Sequence, residues 1–121
     1  MTARIILLAP DGQTMRGTRQ DVTVPTHEVR LNVFRRFTPQ IRRFDVTTGK
    51  HDIDLWVDDE GLLIDSPLMN HPASVIAGKP LAGPAFAAGF DADGSTIGLS
   101  DEQIGYIDAI LARMPNAVRI L

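Results

Sequence analysis

The sequence predicts one α+β domain over residues 1–121, a mainly antiparallel sheet with two longer helices and one short helix. Three patterns carry the prediction. Residues 52–64 alternate about an Asp58-Asp59-Glu60-Gly61 turn, and residues 81–99 repeat strand, turn and strand about Asp91-Ala92-Asp93-Gly94. The flanking residues 26–38 and 101–114 change to an apolar period near 3.6, as helices covering a sheet do. At 121 residues and 44% hydrophobic, the chain is long enough for one compact core.

Taken in order, Arg4-Ile5-Ile6-Leu7-Leu8-Ala9 is a buried strand stopped by Pro10-Asp11-Gly12. Asp21-Val22-Thr23-Val24 reads as an edge strand ahead of Pro25. Val29, Val33, Phe34, Phe37 and Ile41 then make one helical stripe, with Thr26 as its cap and Pro39 at its end. Residues 41–48 look extended. Along 51–57, Ile53, Leu55 and Val57 share one side while Asp52, Asp54 and Trp56 share the other, the alternation of a half-buried strand. Leu62-Leu63-Ile64 is expected to return along it.

Asn70 suits a helix cap, Pro72 a first turn and Gly78 a C-terminal stop, so residues 71–77 are read as the short helix. Gly83, Ala85, Ala87, Ala88 and Gly89 give a strand small enough for a helix to pack closely upon it. Ser100-Asp101-Glu102-Gln103 is a capping box with two acids in the first turn of the last helix, whose stripe is Ile104, Ile107, Leu111 and Met114. Residues 117–121 read as a closing strand.

The formal charge of −3 conceals a division: residues 1–50 carry nine Lys/Arg against four Asp/Glu, and residues 51–121 carry three against eleven. A fold that separated the halves would steer a charged partner to one face; a fold that mixed them would pair the charges across its surface. The absence of cysteine excludes disulfides, thiolate catalysis and Cys-ligated zinc. The apolar run of residues 5–9 is shorter than a signal-peptide core, and no stretch approaches the ~20 residues of a membrane span. These features lead to the expectation of a cytoplasmic protein.

Two charged clusters and one aromatic are the candidate contact residues. Arg30, Arg35, Arg36, Arg42 and Arg43 form a basic group suited to an acidic or phosphate-bearing surface. The sequence pI near 5.5 sets this chain apart from typical nucleic-acid binders, so a protein partner is expected ahead of direct nucleic-acid binding. Asp52, Asp54, Asp58, Asp59 and Glu60 would imitate phosphates toward a basic partner, with Trp56 as an anchor. The competing reading makes the acids a solvated turn and Trp56 an ordinary sheet residue.

No residue set forms a catalytic signature, and no cofactor is implied. Asp91, Asp93, Ser95 and Glu102 match positions one, three, five and twelve of a calcium loop, but Thr96 stands where that loop needs Gly. His51, Asp52 and Asp54 would make a metal site only with His27 or His71 brought from elsewhere. Ser66 and Ser74 lack a nucleophile elbow, and Gly78-Lys79-Pro80 is no phosphate loop.

The Asp54-Leu55-Trp56-Val57-Asp58-Asp59-Glu60-Gly61 segment, Asn70, Ala73, the run from Gly78-Lys79-Pro80 to Ala85, and Gly98-Leu99-Ser100-Asp101-Glu102-Gln103-Ile104 together resemble a family of small proteins. The family is classed only as a domain of unknown function and occurs on phages, plasmids and bacterial chromosomes. The resemblance spans residues 52–107. It implies no catalytic residues but a mobile-element setting, in which small acidic proteins often block host defence complexes. The leading expectation is therefore a non-catalytic binding protein, an anti-CRISPR or antirestriction inhibitor of a host nuclease or CRISPR complex. A small metal- or ligand-binding enzyme domain and a phage structural or accessory protein are the alternatives.

Overall fold

A computed structural model of the chain describes residues 1–29, 31–60 and 67–115. Among these, six strands form an antiparallel sheet: β1 (Thr2–Ala9), β2 (Thr18–Pro25), β3 (Phe44–Thr48), β4 (Asp54–Asp58), β5 (Ala85–Phe90) and β6 (Thr96–Ile97). Three helices accompany them, α1 (Leu31–Phe37), α2 (His71–Ala77) and α3 (Asp101–Arg113). The strand order is β2-β1-β5-β4-β3, with β6 pairing on the end of β5. This is the α+β class expected from the sequence.

β5 lies at the middle of the sheet, and its side chains alternate between two cores. Ala85 and Ala87 join Ile6, Leu8, Leu55 and Val57 beneath α2 and α3, where Ile76, Ile104 and Ile107 are buried. Phe86 and Ala88 point the other way, to Ile5, Leu7, Val22 and Val24 beneath Val33 and Phe34 of α1. The rings of Phe34 and Phe86 stack with centroids 4.8 Å apart. Because α1 covers this second face, β4 is not the half-buried strand that its alternation suggests: Asp54 is 9% exposed and Trp56 packs 5.5 Å from Phe34.

The helix expected over residues 26–38 is divided. Thr26–Glu28 form a 3₁₀ turn, Val29 is extended, and α1 begins at Leu31. Thr26 N–H continues the pairing with β1 by donating to the Met1 carbonyl at 3.1 Å, and Thr26 lies inside the 3₁₀ turn, apart from α1, whose start its side chain does not cap. Val29, Val33, Phe34 and Ile41 are nevertheless buried as the stripe requires, while Phe37 is left 39% exposed. His51 and Asp52 also differ from expectation, lying outside β4 in a tight turn. Ile53 N–H donates to the Lys50 carbonyl at 3.2 Å, and both central residues have φ of 56°, the arrangement of a type I′ turn. The expected strands at Leu62-Leu63-Ile64 and residues 117–121 lie outside the described residues, and the two sheet neighbours of β4 are β3 and β5.

Two amide side chains lock the helices to the sheet. Asn70 caps α2 by accepting the Ala73 N–H, and its own Nδ2 donates to the carbonyls of Leu8 and Gly83 at 2.9 and 2.8 Å. Gly78 ends α2 with φ of 73°, where a side chain would be strained. Gln103 completes the capping box of α3 by accepting from Ser100 N–H, while its Nε2 donates to the carbonyls of His51 and Asp52. β6 wedges beside β1 and β5, with Leu99 N–H donating to the Arg4 carbonyl. A side chain at Gly98 would place its Cβ 2.7 Å from that of Ala3, so the wedge needs glycine.

Charges of the two halves mix rather than separate. Arg19 pairs with Asp21 at 2.8 Å within the N-terminal half and with Asp108 of α3 across the halves. Arg43 and Asp59 make a second cross-half pair. A hydrogen bond from Arg19, helped by Arg4, holds the Asp21 carboxyl below its ordinary range. The stability linked to that depression is present above the ordinary carboxylate range and is lost as pH falls through the lowered value.

Three outcomes follow from these contacts. Asn70→Ala removes a cap and takes the Nδ2 donor from the buried Leu8 carbonyl and the part-buried Gly83 carbonyl, and urea unfolding should register a loss of about 3 kcal/mol. Gln103→Glu keeps the capping-box acceptor but removes both donors to the 51–52 turn; it should destabilise by about 1–2 kcal/mol, against little change if the turn contact is idle. The difference in urea midpoint between the natural chain and Asp21→Asn should be largest near neutral pH and should shrink as the medium is taken to about pH 3 and below.

Candidate functional site

Antiparallel pairing of β3 with β4 decides where the charged residues meet. The ladder ends at the pair Phe44 and Asp58, so the chain entering β3 through Arg42-Arg43 runs beside the chain leaving β4 through Asp58-Asp59-Glu60. Asp59 N–H donates to the Arg43 carbonyl at 3.2 Å, and Arg43 Nε lies 3.5 Å from Asp59 Oδ2. Asp58 serves its own turn, its Oδ1 accepting from Glu60 N–H at 3.0 Å. Fifteen or more residues of sequence separate the two clusters, and one register closes the gap.

Two open clefts share Asp58 and Asp59. One, of about 390 Å³, lies between Gln40, Arg42 and Arg43 on one side and Asp58, Asp59 and Glu60 on the other. Its neighbour, of about 300 Å³, has Val57, Leu81 and Ala82 in its lining with Asp45 and Lys79 beside them. The helix stop at Gly78 turns the chain so that Lys79 reaches this second cleft. The Arg43 side chain is 83% exposed, so water screens its pair with Asp59 to no more than about 1 kcal/mol. Such a weak internal pair is readily exchanged for a stronger one with a macromolecule that excludes the water.

The remaining candidates stand elsewhere. Arg35 and Arg36 occupy the last turn of α1, where cations favour the helix dipole, and Arg36 lies 3.7 Å from Glu28. Arg30 is outside the described residues. Asp52 sits in the type I′ turn, and Asp54 is buried with its Oδ1 accepting from Thr48 Oγ1 at 2.6 Å. Trp56 is half-buried under α1, and its Nε1 finds no acceptor among the described residues. The ring of His51 lies 4.0 Å from that of Tyr106. Among the described residues no three His, Asp or Glu side chains converge as a metal site would need. Asp91 spends its Oδ1 on the N–H groups of Asp93 and Ser95, and Glu102 belongs to the first turn of α3.

Gln40, Asp45 and Lys79 line the clefts but carry no sequence signal, since each comes from a different segment and is polar for no local reason. Asp45 reaches its cleft through the β3–β4 register, which sets it opposite Val57.

Residues 40–112 match the model of a family described as Domain of unknown function (DUF3846). No curated protein and no solved structure matches the chain. The matched stretch runs from the approach to β3 through nearly all of α3, holds both clefts, and leaves β1, β2 and α1 outside. It covers more than half of the 121 residues, and the chain therefore belongs to the DUF3846 family.

Proposed function

We propose that this protein is a non-catalytic binding protein that engages a protein partner through the charged clefts at the β3–β4 end of the sheet. The carrying observation is the convergence of Arg42 and Arg43 with Asp58, Asp59 and Glu60 around open, solvent-screened space. Both signs of charge stand within one contact footprint, which suits recognition of a mixed protein surface better than a uniformly anionic nucleic-acid backbone. The partner in this reading is a host nuclease or CRISPR complex, and the protein is its inhibitor in a phage or plasmid setting. The setting rests on the family resemblance and the acidic single-domain character, an analogy of context rather than a property of the site.

Capture of the tagged protein from a bacterial host lysate, with mass spectrometry of what it retains, tests the proposal. Arg42→Glu with Arg43→Glu, and separately Asp59→Lys with Glu60→Lys, reverse each side while leaving the Asp58 turn bond in place. At least one reversal should lower partner recovery by about tenfold or more, the loss of a few close charge pairs. Undiminished recovery by both would remove the clefts from the interface.

A further inference from the structure

Among the described residues the sheet has two edge strands, β2 and β3, and no described strand pairs with the outward side of β3. Two bonds fix the direction of its backbone groups: the Arg43 carbonyl accepts from Asp59 N–H, and Gly49 N–H donates to the Ile53 carbonyl, both toward β4. Backbone groups of alternate residues point oppositely in an antiparallel strand, so Phe44, Val46 and Thr48 turn theirs outward. Val46 N–H is met there by a substitute, the Oδ1 of Asp45 at 3.0 Å. The side chain of Val46 is 43% exposed at the end of the cross-strand row Leu7, Phe86, Trp56 and Val46. Beside it, the half-buried Phe44 ring lies 6.0 Å from Phe34.

We propose that this edge is an interface between two copies of the chain, joined by antiparallel β3–β3 pairing centred on Phe44. Charge selects the register. Centring on Phe44 sets Asp45 opposite Arg43 of the second copy, twice by symmetry, and sets the two Phe44 rings side by side. Centring on Asp45 would oppose that carboxylate to itself, and like charges directly opposite are destabilising; centring on Val46 would set Asp45 opposite Thr47, with no cation to meet it. In the favoured register Val46 N–H exchanges the Asp45 carboxylate for the Arg42 carbonyl of the second copy, which frees Asp45 for its new partner. The pairing is isologous, as a twofold dimer requires.

Sedimentation equilibrium of the purified full chain, from about 10 μM to about 1 mM, tests this without any other partner present. A reversible monomer–dimer equilibrium is expected. Arg43→Asp and Asp45→Arg should each weaken it by about tenfold, and the double swap Arg43→Asp with Asp45→Arg should return it to within about threefold. Val46→Pro removes an outward donor that the internal ladder does not use; it should keep the circular dichroism of the natural chain and abolish the dimer. A chain that stays monomeric to about 1 mM, or a dimer indifferent to the single charge changes, overturns the proposal. So does a double swap that fails to recover association while retaining the fold.

Discussion

Everything in this molecule is arranged around a central strand that must be thin on one side. β5 is squeezed between α2 and α3 above and α1 below, and it meets them with Ala85 and Ala87 on the first face and with Phe86 and Ala88 on the second. Two helices approach the first face, so methyl side chains let Ile76, Ile104 and Ile107 reach the sheet. A single short helix approaches the second face, and one large ring fills what it leaves. Phe86 and Phe34 together set the distance at which α1 crosses the sheet. A larger residue at Ala85 or Ala87 would push α2 and α3 outward, and with them the loop that carries Lys79 to the cleft.

Apolar packing of that kind is slippery, and two polar side chains give it a single answer. Asn70 bonds to β1 through Leu8, to the segment before β5 through Gly83 and to the first turn of α2, all while 2% exposed. Gln103 joins the start of α3 to the β3–β4 turn 51 residues earlier. Both are helix-cap residues whose second hydrogen-bonding function is used over long range. For the buried Asn70 such contacts are stabilising only when each is satisfied, and that requirement excludes neighbouring packings that the hydrophobic contacts alone would tolerate.

The charge asymmetry of the chain acquires meaning through the same geometry. Arg19 clasps Asp108 and thereby ties β2 to α3, a structural use of a cross-half pair. Arg43 and Asp59 meet at the rim of an open cleft, with the Arg43 side chain largely in water, and the pair adds little to the fold. Pairs of the first kind account for part of the N-terminal excess of cations. The second kind is what remains available to a partner, and it lies within the stretch that defines the DUF3846 family.

Local chemistry was legible in the residues themselves. The capping box at Ser100 and Gln103, the Asn70, Pro72 and Gly78 punctuation of α2, the small-residue strand and the Asp91 hairpin turn are all decided within a few residues of one another. The α+β class followed from them. Less was legible where distant segments compete for the same residue. The 26–38 stripe has helical spacing, yet Thr26 N–H pairs with the Met1 carbonyl at the end of the sheet and Val29 is extended, so residues 26–29 stand apart from α1. The Asp54 and Trp56 side of β4 alternates like a wet face, yet α1 covers it. The meeting of Arg42 and Arg43 with Asp58, Asp59 and Glu60 depends on the β3–β4 register, and the second cleft depends on where α2 stops. Sequence by itself determined α2 and α3 with their caps and the turn at Asp91, because those are set by bonds within a turn or two. Tertiary structure alone decided which faces are buried and which charges become neighbours, because both depend on strand order and helix crossing, which arise from packing between residues far apart in the chain.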